Sequence, residues 1–232
     1  MSIGDSEIKT QERVIRFFKD PEILGYQYIG NLSDYQNKNI KEDRLRQYLR
    51  LKGYADKLID AAVMQLQQEA GNLSRGVYDA NKTVYSRLKY GIPVSESPEK
   101  PPVTVELIDE ANPLSNDFAI AEEVTVVEQQ EKRPDLVIYL NGIAVAVIEL
   151  KRSSISVSEG IRQNLTNQKD SFIRGFFTTM QFCMAGKSHK PEGLLYSRLL
   201  YYHAVLYGRK RVGRPALWHA SDRREVLYGV EG

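Results

Sequence analysis

A single cysteine, Cys183, leaves no possibility of an internal disulfide, so the fold needs no oxidising compartment to close it. Apolar runs are short. The longest, Leu136 to Leu140 and Ile143 to Ile148, are strand-sized and far below the roughly 18 to 20 residues that span a bilayer. The first residues carry no basic stretch leading into an apolar run and no small-residue cleavage site, so the sequence predicts a cytoplasmic protein with no membrane partner. Net charge is also scarce. At +2 over 232 residues it favours neither a polyanionic partner nor its exclusion. Its distribution is uneven: residues 188–232 hold eight Lys and Arg against four Asp and Glu, together with all three histidines, and the remainder sums to −2. His189, His203 and His219 lie too far apart for a local metal motif. Gly186-Lys187-Ser188 lacks the leading glycine of a phosphate loop, since Gln181 stands where it belongs, so no ATP site is expected here. Cys183 has no base near it in sequence and reads as a small core residue.

What is present is enough for a core. Hydrophobic residues make up 42% of the chain, which suits one large domain or one domain with an elaboration. Residues 1–92 read as mainly helical, with apolar positions at helical spacing in Val14, Ile15 and Phe18 and again in Leu45, Tyr48 and Leu49. A third helix is predicted from Asp56 to about Ala70, before Gly71-Asn72. The three prolines between Ser95 and Pro102 end this regime. From residue 103 to 187 the periodicity is of strand type: Val103 to Ile108, Phe118 to Val127, Leu136 to Leu140 and Ile143 to Leu150, then a helix over Ile161 to Ile173 and a further strand over Phe176 to Met184. The two parts together, 1–187, are expected to form one domain, and 188–232 a basic tail.

Chemistry concentrates in Arg133-Pro134-Asp135 through Asn141-Gly142 to Glu149-Leu150-Lys151. Asn-Gly between two apolar runs is the strongest short-range hairpin signal, because both residues tolerate positive φ. Three ionisable residues therefore stand at the open end of an apolar hairpin. Stripping such groups of water costs several kcal/mol unless something compensates them, and a bound cation does so directly. Glu149 and Lys151, two apart on a strand, share a face. Two carboxylates with a main-chain carbonyl and water make the hard oxygen shell that Mg²⁺ prefers, and a lysine beside it can orient a water molecule and neutralise charge on a phosphate. One obstacle stands out. A regular two-residue hairpin pairs Leu140 with Ile143 and hence Asp135 with Ile148, which sends Asp135 and Glu149 to opposite faces. An irregularity of one residue is required, expected either as a left-handed bulge at Gly142 or as a bend near Pro134-Asp135.

This stretch resembles the nuclease domain at the amino terminus of the restriction (motor) subunit of type I restriction enzymes. The similarity extends to Thr10-Gln11-Glu12-Arg13-Val14-Ile15 with Leu24-Gly25-Tyr26, to Asn81-Lys82 through Tyr85 with Gly91, and to Phe176-Phe177-Thr178-Thr179 through Met184-Ala185-Gly186, about residues 7 to 186 in all. The resemblance implies an α/β fold of the PD-(D/E)xK kind, a mixed central sheet flanked by helices. It implies Asp135 and Glu149 as ligands of Mg²⁺ and Lys151 as the catalytic lysine, acting on double-stranded DNA. It also implies modification and specificity subunits as partners, with ATP consumed by motor domains outside this chain. Auxiliary roles are expected from an acid of the first helix, Glu7 or Glu12, with Gln11 one turn beyond Glu7. Gln163 matches the start of a Gln-x-x-x-Tyr motif whose last position is here Asn167. The alternatives are a non-catalytic DNA-binding module and a docking domain.

Overall fold

The computed structural model describes residues 7–152 and 154–187, so the predicted basic tail lies outside the described residues. In chain order the elements are α1 (Glu7–Lys19), β1 (Gln27–Asn31), α2 (Glu42–Leu51), α3 (Asp56–Gly71), α4 (Val77–Tyr90), β2 (Ile92–Val94), β3 (Val103–Val105), β4 (Phe118–Glu122), β5 (Val126–Val127), β6 (Glu131–Lys132), β7 (Leu136–Leu140), β8 (Ile143–Lys151), α5 (Val157–Asn167) and β9 (Phe182–Lys187). Short 3-10 turns cover Pro113–Ser115 and Arg174–Thr179. Five strands form a central sheet in the order β1-β4-β7-β8-β9. The outer pairs, β1 with β4 and β8 with β9, are parallel, and the two inner pairs are antiparallel. The result is a mixed sheet flanked by helices, the architecture expected from the sequence.

Apolar periodicity explains each layer. Val14, Ile15 and Phe18 of α1, Leu45, Tyr48 and Leu49 of α2, and Leu58, Ile59, Ala62, Val63 and Leu66 of α3 point inward at helical spacing. They meet Ile120, Leu136, Ile138, Leu140, Ile148 and Leu150 on one face of the sheet. The other face presents Ala119, Ala121, Val137, Tyr139, Ala144 and Val147 to Ile173, Phe176, Phe177 and Met180. Both faces are covered. That is why β7 and most of β8 are continuously apolar instead of alternating.

Several boundaries differ from the sequence expectation. Gln27–Asn31, inside the nominally helical part, is a strand and forms an edge of the central sheet. Val103–Val105 pairs with Ile92–Val94 in a separate two-stranded sheet. The last helix spans Val157–Asn167, and Phe176 to Thr179 are part of a 3-10 turn, with the strand beginning only at Phe182. Short apolar runs have no period of their own, so packing decides their form. Cys183 lies exposed on β9 and not in the core. No helix among the described residues is long and apolar enough to cross a membrane.

The Asn141-Gly142 turn does more than reverse the chain. Both residues are left-handed, at φ 51° and 81°, as a two-residue hairpin of the primed type requires. Asn141 is fully buried. Its amide nitrogen donates to the Leu107 carbonyl and the Asn116 Oδ1, each at 2.8 Å, and its Oδ1 accepts from the Asp117 N–H at 2.7 Å. The Gly142 carbonyl accepts from the Lys41 N–H at 2.7 Å, which seats the turn on the start of α2.

Candidate active site

The required irregularity exists, but at neither of the two expected places. Leu140 pairs with Ile143 and Tyr139 with Ala144, as in a regular hairpin; then Ile138 pairs with Ala146, Val137 with Val147 and Leu136 with Ile148. Val145 is the extra residue. It and Ala146 both enter the core on the helix side, whereas Ala144 and Val147 face the other way, the signature of a β-bulge. Beyond the bulge the alternation of β8 is inverted. Glu149 thus comes to share the face of Val147, and Asp135 the face of Val137 and Tyr139. The bulge sits where β8 changes outer neighbours, from the Asn39-Ile40 segment, bridged at Ile143, to β9, which begins pairing at Ala146.

Asp135 is held from two sides. Its Oδ2 accepts the Leu150 N–H at 2.6 Å, and its carbonyl accepts the Glu123 N–H at 2.9 Å. Glu149 is fully buried, and neither of its carboxylate oxygens has a hydrogen-bond partner among the described residues. Lys151 Nζ lies 3.8 Å from Glu149 Oε2 and 3.7 Å from Glu7 Oε1, bringing the first helix to the site. Arg152 Nε approaches Glu7 from outside at 3.9 Å.

The electrostatics follow from this packing. Burial pushes the Glu149 carboxyl well above the ordinary carboxylate range, and the neighbouring Asp135 charge adds to the rise; Lys151 offsets only part of it. Asp135 is raised for the same first reason, and the Leu150 N–H holds it back. Two carboxylates with unmet demand for positive charge are what a divalent cation satisfies, so the residues fit the Mg²⁺ suggested by the sequence. Among the described residues no group of three or more His, Cys, Asp and Glu is placed to hold a metal. A cation here would rest on Asp135 and Glu149, with main-chain or water oxygens completing its shell.

The auxiliary residues divide. Glu7 stands at the site. Gln11, one turn on, donates to Glu122 Oε2 at 3.0 Å and Glu123 Oε1 at 3.2 Å, and so ties α1 to the chain that holds Asp135. Glu12 is exposed and touches none of these groups. Gln163 is half-buried on α5, and its side chain makes no hydrogen bond among the described residues. Sequence reasoning missed Glu122 and Glu123, and gave Arg133 no role of its own. Tyr28 OH donates to Glu122 Oε1 at 2.6 Å, Arg133 Nε pairs with Glu123 Oε2 at 2.7 Å, and Glu123 is left-handed at φ 51°. Only the fold unites these residues; the sole local sign was the Glu-Glu pair interrupting the apolar pattern of the strand predicted from Phe118 to Val127.

Gly160 was missed as well. It places α5 directly over Glu149: a Cβ there would lie 2.9 Å from the Ala185 Cβ and 3.5 Å from the Glu149 Cβ. Gly160→Ala should therefore force α5 off the sheet. The cost of overpacking, about 1–3 kcal/mol, outweighs the roughly 1 kcal/mol gained in helix propensity. Thermal melting that shows a stabilised Gly160→Ala variant would mean that α5 has room to move.

A family model described as the type I restriction enzyme R protein N terminus matches residues 6–190. The chain belongs to that family. A curated relative, the putative type I restriction enzyme MjaIXP endonuclease subunit of Methanocaldococcus jannaschii, is 33% identical over 97 residues, which cover 38% of this chain and 9% of that relative. Members of the R protein family are parts of a multi-subunit restriction enzyme, and nuclease activity is the activity the family suggests. The fold described above is that of a restriction-endonuclease-like N-terminal domain.

Proposed function

We propose that this chain is a Mg²⁺-dependent endonuclease domain of the PD-(D/E)xK kind, which hydrolyses phosphodiesters of double-stranded DNA within a type I restriction complex. The observation that carries this is Glu149: a fully buried carboxylate with no hydrogen bond to either oxygen among the described residues, close to Asp135 and beside Lys151. A purely structural glutamate at that depth would be left with an uncompensated cost of several kcal/mol.

Asp135 and Glu149 would hold the cation, which supplies positive charge and Lewis acidity to the scissile phosphate. Lys151, set between Glu149 and Glu7, is positioned to orient the attacking water and to stabilise negative charge developing on the phosphate oxygens. The Leu150 N–H fixes the orientation of Asp135. α5 packs over Glu149 through Gly160 and covers that side of its side chain. Target recognition belongs to the specificity and modification subunits, and ATP-driven translocation to other parts of the longer R protein.

Lys151→Ala separates chemistry from metal binding. Plasmid cleavage by the reconstituted complex with ATP and Mg²⁺ should fall by about 100-fold or more, the scale of losing a positioned proton-transfer or charge-stabilising group. Mg²⁺ binding should persist. Cleavage at the wild-type rate would reject the site. DNA binding without any cleavage by the wild-type complex, unchanged in chelator, would favour a non-catalytic module instead.

A further inference from the structure

α4 is held on three sides and bare on the fourth. Ala80, Val84 and Leu88 are buried. Asn81 donates its side-chain amide to the Phe177, Thr178 and Met180 carbonyls at 3.3, 3.2 and 2.6 Å, and Arg87 forks onto the Glu69 carboxylate at 2.7–3.1 Å. The remaining face presents Tyr78, Lys82, Tyr85 and Lys89, spaced i, i+4, i+7 and i+11. At about 100° per residue these four fall within about 60° of arc, a single ridge of alternating ring and ammonium about 16 Å long. Tyr78 and Tyr85 are 44% and 48% exposed, and both lysines are exposed. Among the described residues neither ring, nor Lys82, has a hydrogen bond, ion pair or ring contact. Lys89 Nζ lies 5.2 Å from the centroid of the exposed Tyr90 ring. Asp79, the one acid of α4, stands about 100° round the helix from Tyr78, and Glu110 is the acid whose charge reaches Lys89.

A merely solvated helix face mixes charges of both signs, whereas this ridge combines cations with rings and carries no acid. Its chemistry matches a polyanion that also offers flat apolar faces: ammonium groups meet phosphates, and rings meet bases. In a duplex the bases are already stacked on one another, so the tyrosines would gain nothing there. A single strand supplies both partners. We infer that the ridge binds single-stranded DNA, with Tyr78 and Tyr85 as stacking platforms and Lys82 and Lys89 as phosphate contacts. The choice of DNA rests on the nuclease reading above; the ridge itself does not, since among the described residues α4 gives no hydrogen bond or ion pair to Asp135, Glu149 or Lys151. Because the helix is anchored by Asn81 and Arg87, binding has only the side chains of the ridge to order.

The test titrates the 232-residue chain, in chelator so that nothing is cut, into labelled oligothymidylate of about 15 nucleotides, a blunt duplex of that length and the matching oligouridylate, read by fluorescence anisotropy. Oligothymidylate should bind most tightly. Tyr78→Ala and Tyr85→Ala should each weaken it about fivefold or more, the scale of one lost base–ring stack, and leave duplex affinity within about twofold. Tyr78→Phe with Tyr85→Phe keeps the rings and should bind as the wild type does. Lys82→Gln with Lys89→Gln should lower the slope of log affinity against log salt by about 1.4, about 0.7 for each phosphate contact. All four positions are exposed, so melting temperatures should stay near the wild-type value. Alanine variants with wild-type single-strand affinity overturn the inference, and so does an equal loss on duplex, which would mean that the face binds phosphate alone. Phenylalanine variants as weak as the alanine ones overturn the stacking role, and tighter binding of oligouridylate overturns the assignment to DNA. Alanine variants that bind DNA normally but fail to assemble with the modification and specificity subunits would make the ridge a protein interface instead. Cleavage by Glu149→Gln and Lys151→Ala complexes reports on the metal site alone, so either reading can fail without the other.

Discussion

Glu149→Gln is expected to abolish DNA cleavage by the assembled enzyme while raising the stability of the metal-free chain. The two effects have one origin. Glu149 is buried, has no hydrogen-bond donor on either oxygen among the described residues, and faces Asp135, so its ionised form is disfavoured in the folded state. Glutamine keeps the shape, removes the charge that would hold the cation, and relieves the repulsion. The pH dependence follows with a definite sign. A carboxyl whose folded pKa lies above its unfolded value near 4 binds its proton more tightly in the fold, so its stabilising contribution is present below about pH 4 and is lost as pH rises through the folded value. Burial raises both Asp135 and Glu149. In chelator the melting temperature of the wild type should therefore fall between acidic and neutral pH, and Mg²⁺ should restore it most at the upper end, with proton release on binding. Glu149→Gln should flatten the decline and blunt the response to Mg²⁺. Melting curves at several pH values with and without Mg²⁺ decide this, alongside plasmid cleavage; full cleavage by the variant would mean that Glu149 is only a buried strand residue.

Gly142→Ala should be the most destabilising single methyl that this hairpin can receive. At φ 81° any L-residue is strained, and the added Cβ would lie 2.6 Å from the Lys41 carbonyl, 2.8 Å from the Leu45 nitrogen and 2.9 Å from the Arg44 Cβ. Two of these are backbone atoms at the start of α2 and cannot rotate away. Strain and overpacking together amount to about 2–5 kcal/mol. For a domain of this size that corresponds to a fall in melting temperature of roughly 5–15 °C. A drop of only a degree or two would show that the turn is not seated on α2. Activity gives the variant a second readout, because movement of the turn displaces both strands that carry the site.

Much of this architecture was legible in the residues. Asn141-Gly142 between two apolar runs specified the hairpin, and the charged residues at its open end marked where chemistry could occur. Geometry also required a one-residue irregularity, since a regular pairing would separate Asp135 from Glu149. Its position could not be read: a bulge goes where the outer neighbour of the strand changes, and that neighbour is formed by Asn39, Ile40, Thr179 and β9, distant in sequence. The choice among first-helix acids was likewise open. Glu7 and Glu12 are equivalent in composition, and only the docking of α1 brings Glu7 to Lys151 and leaves Glu12 in solvent.

What the sequence by itself determined was local: the inward faces of α1, α2 and α3, the left-handed turn, and a same-face Glu149-Lys151 pair, each set by the repeat of a single helix or strand. The tertiary structure decided everything that depends on partners. It made Gln27–Asn31 an edge strand of the main sheet and placed the extra residue at Val145. It buried Glu149 beneath Gly160 and joined Gln11 to Glu122 and Glu123. The physical reason is that periodicity encodes which side of an element is apolar, whereas register and burial depend on the hydrogen-bonding edges and side-chain volumes of segments up to about a hundred residues away, which no local pattern contains.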